Sequence, residues 1–320
     1  MPHSTTSEHR DNKEASWTTR LIGLTLVFAY VIVVHWVWGW SEIFNQWRNW
    51  SIPELFAVLL LILVTYLIRA IRIWDYFRRD PGVKLLNCLK LTLLHNLANN
   101  LLPMRSGEAS FPLLMRSYFG LAMSRTTGTL LWFRFLDFLV ILLLGAAIWM
   151  FWVKVNTLYW IIWLIALCSP VLAVSVQGLL LNGLINRLPQ GKMQRLAQSL
   201  LSGMPQDMPP LLRSLALTWA NWSLKLSLFA LIILVFTDLN TLDAFIGALG
   251  GELSSILPIH APAGLGTYEA GVVAGVVLTG GSADQALQGG VNLHILLILS
   301  TLIGGLLALP LPGKSKASSN

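Results

Sequence analysis

The hydrophobic positions of this chain fall into long runs that are separated by short polar segments. Six of these runs are about 20 residues long, which is the length of an α-helix that crosses a lipid bilayer. Tryptophans are frequent at their ends, as is typical where a membrane meets water. We therefore predict an all-α polytopic membrane protein with six full spans, at residues 21–40, 52–74, 128–153, 158–180, 213–236 and 283–309.

Two other segments, residues 83–120 and 243–279, differ from ordinary spans. Each is broken near its middle by proline and glycine, and its two limbs are short for a full crossing. The first limb of residues 83–120 has a polar face that lipid would not tolerate. We predict two re-entrant helical hairpins, and the alternative for the polar face is hydrogen bonding between helices. The residues of that face are Thr92, His95, Asn96, Asn99 and Asn100.

The turns of these two segments share a pattern. The first reads Leu-Pro-Met-Arg-Ser-Gly-Glu-Ala at residues 102–109. The second begins with Leu-Pro-Ile-His at 257–260 and ends with Gly-Thr-Tyr-Glu-Ala at 266–270. Three predicted spans separate equivalent points, and an odd number of crossings inverts the second unit. The pattern therefore predicts inverted-topology repeats whose hairpins meet near the membrane midplane, where transporters of this design bind their substrates.

The chemistry of the turns favours an anionic ligand. Proline ends the first limb and glycine permits the turn, so the second limb presents the free N–H groups and positive dipole of a helix start. Ser106 and Thr267 are the predicted N-caps. The alternative is that the two glutamates only cap their own helices and tie the turns to a basic partner. The predicted substrate-binding residues here are Arg105, Ser106, Gly107, Glu108, His260, Gly264, Gly266, Thr267 and Glu269.

Ionisable residues also occur within the predicted spans, where each costs about 2.5–3.5 kcal/mol and normally faces a pathway or a partner. Arg134 and Asp137 are three residues apart on one helix face, which suits either a structural pair or a coupling role. Lys225 has Asn221 one turn earlier, and we interpret them as substrate-binding or hairpin-bracing residues. Glu252, in the first limb of the second hairpin, is another structural or coupling charge.

The composition supports the membrane assignment and narrows the function. The chain is 55% hydrophobic and 12% charged, whereas soluble domains are about 25% charged. Its net charge of +7 lies in connecting segments, where it indicates topology and not a nucleic-acid surface. The cluster of Arg69, Arg72, Arg78 and Arg79 is interpreted as one such cytoplasmic signal.

The same charge asymmetry predicts a bacterial inner-membrane protein with both termini in the cytoplasm. Asp238 and Asp243 then lie outside. The predicted order is a polar tail at 1–20, a first helix with an external loop at 21–51, repeat 1 at 52–180 with hairpin 83–120, a cytoplasmic linker at 181–212, repeat 2 at 213–310 with hairpin 243–279, and a tail at 311–320.

The sequence shows no catalytic constellation and no cofactor motif. Cys88 and Cys168 have no ligand spacing around them, so neither a disulfide nor a metal site is predicted. His35 and His294 have no partner in view and are interpreted as core or interface residues. We therefore predict no enzyme, metal or cofactor. The expected partners are membrane lipids, and a homodimer or a synthase of the same pathway are the protein partners to test.

These motifs resemble those of the lysylphosphatidylglycerol synthase transmembrane-domain family, which is also described as flippase-like. The first signature of that family is Pro and then Arg-x-Gly-Glu, matched at 103–108. An Arg-x-x-Asp in the next span is matched by Arg134 and Asp137. The late signature, Leu-Pro and then Pro-x-Gly-x-Gly-x-x-Glu, is matched at 257–258 and 262–269. The resemblance covers about residues 20–310.

Two positions depart from the family pattern. Phe133 stands where glutamate often precedes the arginine, and His260 stands where a small or polar residue is common. Because the chain stops at Asn320, we expect the lipid-translocating half of the full-length synthases without their aminoacyl-transferase domain. The resemblance implies a transporter or flippase of an anionic phospholipid or a polyprenyl-phosphate-linked lipid. The alternatives are a secondary transporter of a small soluble anion, proton-coupled through Glu108 or Glu269, and a non-transporting partner of a glycosyltransferase or lipid synthase.

Overall fold

The computed structural model describes residues 32, 34–36, 39–48, 50–102, 107–187, 191–256 and 262–313. These residues form helices joined by short turns, and no strand occurs among them. The predicted all-α polytopic fold class is thereby confirmed. The helices, numbered in chain order, are α1 Trp40–Trp47, α2 Ile52–Phe77, α3 Leu85–Leu101, α4 Ser110–Phe119, α5 Met123–Val153, α6 Thr157–Leu167, α7 Ser169–Asn186, α8 Lys192–Leu201, α9 Met208–Phe236, α10 Thr241–Ser254, α11 Thr267–Leu278 and α12 Ala283–Ala308.

Five helical segments in the described part of the chain are long and apolar enough to cross a membrane. One of them combines α6 with the start of α7, because the backbone stays helical at Cys168. They correspond to the last five predicted spans. Most of the first predicted span, residues 21–40, lies outside the described residues. The five are Ile52–Phe77, Met123–Val153, Thr157–Ser175, Met208–Phe236 and Ala283–Ala308.

The helices of the two predicted hairpins are shorter. We call α3 with α4 the first hairpin, and α10 with α11 the second hairpin. α3 has 17 residues and α4 has 10, while α10 has 14 and α11 has 12. At 1.5 Å per residue, α3 is only about 26 Å long, less than the roughly 30 Å of a bilayer core. These lengths agree with re-entrant limbs, and the re-entrant geometry itself stays a prediction.

Helix α9 lies at the centre of the fold and packs against α2, α5, α10 and α12. Its Phe229, Ile232 and Ile233 are completely buried in the larger hydrophobic cluster, which also includes residues of the second hairpin. A smaller cluster packs the first hairpin against α5 and the end of α2, with Phe111 and Trp132 among its buried members. Each hairpin thus has its own hydrophobic support.

The segment 181–212, predicted as a linker, contains the end of α7 and all of α8. Helix α8 packs against α5, and the contact is close because both sides contribute a glycine. A Cβ at Gly128 would overlap the carbonyl oxygen of Leu200, and one at Gly203 would overlap that of Arg125. The segment is therefore attached directly to the first predicted repeat.

Candidate functional site

A cavity of about 180 Å³ lies among α2, α3, α5, α9, α10, α11 and α12. Its wall combines charged side chains, asparagines and aromatic rings, and both predicted repeats contribute to it. The residues that line it are Ile62, Tyr66, Arg69, Asn96, Asn99, Asn100, Arg134, Asp137, Trp222, Lys225, Phe229, Glu252, Ser255, Ile256, Ala263, Gly264, Tyr268, His294, Leu297 and Ile298.

Both predicted turns reach this cavity through their described flanks. Asn96, Asn99 and Asn100 come from the end of α3, and Ser255 follows α10. The short 3-10 turn Pro262–Gly264, which precedes α11, contacts α3. The asparagine face that the sequence indicates is therefore turned inwards, towards the second hairpin.

Part of the predicted site lies outside the described residues. Gly107 is described, and a Cβ there would overlap the backbone of Asn99. This glycine thus allows the first turn to lie directly against the end of α3. The positions outside the described residues are Arg105, Ser106 and His260, together with Pro103 and Pro258.

Four charged side chains of the first repeat form a continuous network beside the cavity. Arg134 binds Glu108 twice, at 2.7 Å from Nη2 to Oε1 and 3.2 Å from Nε to Oε2. Its Nη1 also lies 3.5 Å from Oδ2 of Asp137 on the same face of α5, as predicted. Asp137 in turn receives Nη1 of Arg72 at 2.7 Å. The network ties the turn before α4 to α5 and α2.

Asp137 is held by groups from three helices. Besides Arg72 of α2, it accepts a hydrogen bond of 3.1 Å from the indole of Trp222 in α9. Arg72 also donates to Thr218 at 2.7 Å and lies over the Phe133 ring, with 4.4 Å between its Cζ and the ring centroid. Breaking a buried ion pair leaves an uncompensated charge. Removal of either member would therefore destabilise the junction of α2, α5 and α9.

The structure corrects the interpretation of Arg69 and Arg72 as parts of a cytoplasmic signal. Arg72 is 5% exposed, and Arg69 lines the cavity, where its Nη1 donates to Oδ1 of Asn96 at 3.2 Å. Of that cluster, Arg78 and Arg79 are exposed. The sequence does contain a signal for this position. Two arginines three residues apart in an apolar run share a helix face, which indicates a buried pathway or partner.

Lys225 braces the second hairpin. Its Nζ lies 2.6 Å from Oε2 of Glu252 in α10, which is buried. The ammonium group also lies over the rings of Trp222 and Phe229, at 4.8 and 5.1 Å from their centroids. The ion pair joins α9 to α10 and places both charges at the cavity wall. Asn221, one turn before Lys225 in α9, is also buried. It is not among the described residues that line the cavity.

Glu269 and His294 join α11 to α12. Glu269 Oε1 and His294 Nδ1 are 2.8 Å apart, and His294 Nε2 lies 2.8 Å from the carbonyl oxygen of Ala263. A carbonyl only accepts, so Nε2 donates, and one proton lies between Nδ1 and Oε1. The pair is neutral overall, whichever of the two atoms holds that proton. His294 thus has a partner that sequence reasoning missed.

The start of α11 differs from the prediction in its N-cap. The N-cap is Gly266, whose N–H donates to Oε2 of Glu269 at 2.8 Å. Thr267 is the first helical residue, and its hydroxyl donates to the Gly264 carbonyl at 2.9 Å. Gly264 and Gly266 have φ angles of 75° and 80°, which glycine adopts without strain. Glu269 thus caps its own helix and binds a histidine, as the alternative interpretation proposed.

The fold and the cavity define a polytopic α-helical membrane protein with a charged internal site between two pairs of short helices. In the described part of the chain, no group of histidine, cysteine and acidic residues is arranged to hold a metal ion. The family model described as Lysylphosphatidylglycerol synthase TM region matches residues 20–305, so the chain belongs to this family. The match concerns the transmembrane region alone. No curated protein and no solved structure matches the chain significantly.

Proposed function

We propose that this protein moves an anionic lipid across the bacterial inner membrane and holds the lipid headgroup in the cavity between the hairpins. The observation that carries this proposal is the charge of the cavity wall, in which described cations outnumber carboxylates. The network behind the wall adds one charge of each sign and leaves the excess unchanged. The charged residues of the wall are Arg69, Arg134, Lys225, Asp137 and Glu252.

Arg69 carries the excess charge. Arg134 and Lys225 bind carboxylates, whereas the partner of Arg69 in the described part of the chain is the neutral amide of Asn96. A guanidinium inside a membrane protein is unfavourable without a counter-ion, so an anion is needed to complete the site. A phosphate group fits this requirement, because a guanidinium donates two parallel hydrogen bonds to it.

The size of the cavity favours a headgroup over a whole lipid. At about 180 Å³ it is smaller than the roughly 300–1,000 Å³ of sites that enclose drug-sized molecules. The acyl chains would then remain in the lipid phase. The ion pair of Glu252 with Lys225 and the hydrogen bond between Glu269 and His294 join helices, which supports a transporter in preference to an enzyme.

The test is headgroup-specific lipid movement in proteoliposomes. We expect the purified protein to move fluorescent phosphatidylglycerol across the bilayer and to leave phosphatidylcholine in place. Arg69→Gln should lower that rate about tenfold or more, because it removes a charge-assisted contact. Arg79→Gln, which changes an exposed arginine at the end of α2, should leave the rate unchanged. Arg105→Ala, chosen from the sequence motif, should abolish transport.

Two results would contradict the proposal. Arg69→Gln protein that moves anionic lipid at the wild-type rate would remove the headgroup cation from the mechanism. Wild-type protein that moves no lipid but takes up a small soluble anion would replace the lipid by that anion as the substrate. All variants must be compared at equal abundance in the liposomes, because a misfolded variant is inactive for an unrelated reason.

We also propose that both termini lie in the cytoplasm and that the two hairpins enter the membrane from opposite sides. The exposed cations at the end of α2 and in α8 support a cytoplasmic position for those parts. Lys84 and Ala283 are exposed at the open ends of the hairpins. A single cysteine at either position, labelled with an impermeant maleimide, reports the side of the membrane on which that end lies. Labelling of both positions from one side would contradict the inverted repeat.

A further inference from the structure

Three polar atoms in the cavity wall are buried without a hydrogen-bond partner among the described residues. They are Nδ2 of Asn96, the hydroxyl of Tyr268 and Oδ1 of Asn99. The side chains of Asn96 and Tyr268 are 6% and 4% exposed. Most buried polar groups in proteins are paired, because an unpaired one is destabilising. Several such atoms in the wall of one cavity therefore indicate a ligand that pairs with them.

The chemistry of these atoms identifies the kind of ligand. Arginine only donates hydrogen bonds, so the contact with Arg69 fixes Oδ1 of Asn96 as its acceptor and leaves the amide Nδ2 free to donate. Arg69 has further N–H groups beyond the one used on Asn96. Tyr268 can donate through its hydroxyl. Asn96 thus offers a free donor beside Arg69, whose described partner is a neutral amide, and this combination favours an oxyanion over a cation.

We propose that Arg69, Asn96 and Tyr268 form a binding subsite for a phosphate oxyanion. In this arrangement Asn99 accepts a hydrogen bond from a hydroxyl group of the bound molecule. The inference rests on the proposed function and deepens it, because it names the atoms that hold the phosphate group of the lipid. Free inorganic phosphate has the same oxyanion, so the experiment must separate the two sources.

The experiment measures the unfolding temperature of the full chain in nanodiscs. In one arm the nanodiscs consist of digalactosyldiacylglycerol, a bilayer lipid without phosphate, and inorganic phosphate is titrated. In the other arm an increasing fraction of the lipid is phosphatidylglycerol. A ligand that binds only the folded state raises the unfolding temperature in a saturable way. A rise with phosphatidylglycerol alone supports a lipid phosphate as the ligand, and a rise in both arms supports a subsite that also accepts free phosphate.

Asn96→Asp is the first variant. The aspartate has the size of asparagine, but its carboxylate pairs with Arg69 and repels an anion. Its unfolding temperature without an anionic probe should equal or exceed that of the wild type, while the anion-dependent rise should disappear. Tyr268→Phe is the second variant and removes only a hydroxyl that has no described partner. It should fold normally. The anion concentration that gives half of the maximal rise in unfolding temperature should be about tenfold higher than for the wild type.

Tyr66→Phe is the matched control. Tyr66 also lines the cavity, but its hydroxyl already bonds with Ser300 at 3.1 Å. This variant should unfold at a lower temperature and keep the wild-type response to the anion. The subsite is wrong if neither probe stabilises the wild type, or if Asn96→Asp and Tyr268→Phe respond to the anion as the wild type does.

The same variants separate the subsite from the proposed function. If the wild type moves lipid while Asn96→Asp and Tyr268→Phe move it at the wild-type rate, the subsite is wrong and lipid transport stands. If phosphate stabilises the wild type and Asn96→Asp abolishes the effect, but the wild type moves no lipid, the subsite stands and lipid transport is wrong.

Discussion

The two hairpins show that similar pairs of short helices are held together in different ways. In the second hairpin, α10 and α11 pack along their length through glycines, and a Cβ at Gly250 would overlap the carbonyl oxygen of Gly271. In the first hairpin, α3 and α4 meet through a polar contact of 2.8 Å between His95 Nδ1 and Ser110 Oγ and through buried apolar side chains such as Phe111, and α4 also packs against α5. Small residues let helices approach closely. The second hairpin is therefore one packed unit, whereas the first depends on its neighbours.

The glutamates at matching positions of the two hairpins, Glu108 and Glu269, bind different partners. Glu108, just before α4, reaches Arg134 of the adjacent span. Glu269, in the first turn of α11, accepts a hydrogen bond from the N–H of Gly266 and pairs with His294. The same residue type at matching positions thus attaches the first hairpin to α5 and the second to α12, and Glu269 also caps the start of its own helix. A matched motif predicts where a residue lies better than it predicts the partner.

The largest effect is expected where the second hairpin has no free space. Gly250→Ala places a methyl group against the Gly271 carbonyl, so α10 and α11 must separate. We expect a loss of about 5 kcal/mol in unfolding free energy, at the upper end for single substitutions, and little folded protein. Size-exclusion chromatography of the detergent-solubilised protein, detected by fluorescence, measures the folded fraction.

Gly183→Ala is the control for this prediction. Gly183 is exposed in α7, and a Cβ there has no neighbour within 4 Å. Its replacement should be neutral or stabilising by about 0.5–1 kcal/mol, because alanine loses less backbone entropy in a helix. A Gly250→Ala protein that is as abundant and monodisperse as Gly183→Ala would contradict the picture of a glycine-packed hairpin.

Lys225→Met tests whether the second hairpin also needs its ion pair. Methionine keeps most of the length of the side chain but leaves the buried Glu252 without a partner at 2.6 Å. We expect a loss of about 3 kcal/mol, typical of removing one member of a buried pair. The double variant Lys225→Met with Glu252→Gln should recover most of the lost stability, as measured by thermal unfolding. A double variant as unstable as the single one would show that the lysine acts through another contact.

The two glutamates provide the most direct comparison of the hairpins. Glutamine at position 269 can still accept a hydrogen bond from the N–H of Gly266 and can donate one to a neutral His294. Glu269→Gln should therefore lower the unfolding free energy by less than about 1 kcal/mol. Glu108→Gln weakens the two charge-assisted hydrogen bonds with Arg134 and should lower the unfolding free energy by about 2 kcal/mol. Thermal unfolding of the two proteins in one detergent measures the difference. Equal losses would mean that the two turns use their glutamates in the same way.

The smallest effect is expected within the first hairpin. Ser110→Ala removes the hydroxyl that bonds His95 and should lower the unfolding free energy by about 1 kcal/mol. Ser175→Ala is the matched control, because Ser175 is exposed and its partner among the described residues is a carbonyl of its own helix. Chemical denaturation of both variants measures the loss. A loss as large as that of Gly250→Ala would show that this contact alone holds the first hairpin together.

The fold was largely accessible from the sequence because its signals are local. The length of each apolar run predicts a span, and proline with glycine predicts where a helix ends. The five described spans and the four short hairpin helices follow from these signals. The sequence predicts only a linker at 181–212, because α8 is too short to span a membrane and is stabilised by its contact with α5.

The candidate site was accessible only in part. The asparagine face of α3 and the pairing of Arg134 with Asp137 depend on positions within one helix, so periodicity reveals them. The partners of Arg69 and His294 lie on other helices, and they are 27 and 25 residues away along the chain. Which helices meet is decided by packing over the whole chain, and a single sequence does not show it.

The close backbone contact between α5 and the residues around α8 limits how the molecule can change shape. No side chain lies between Gly128 and Leu200, or between Gly203 and Arg125, so no rotamer change can relieve a displacement there. We therefore expect helix α8 to move together with α5. We expect any rotation between the two predicted repeats to bend the chain at residues 204–207, the short non-helical stretch that leads into α9.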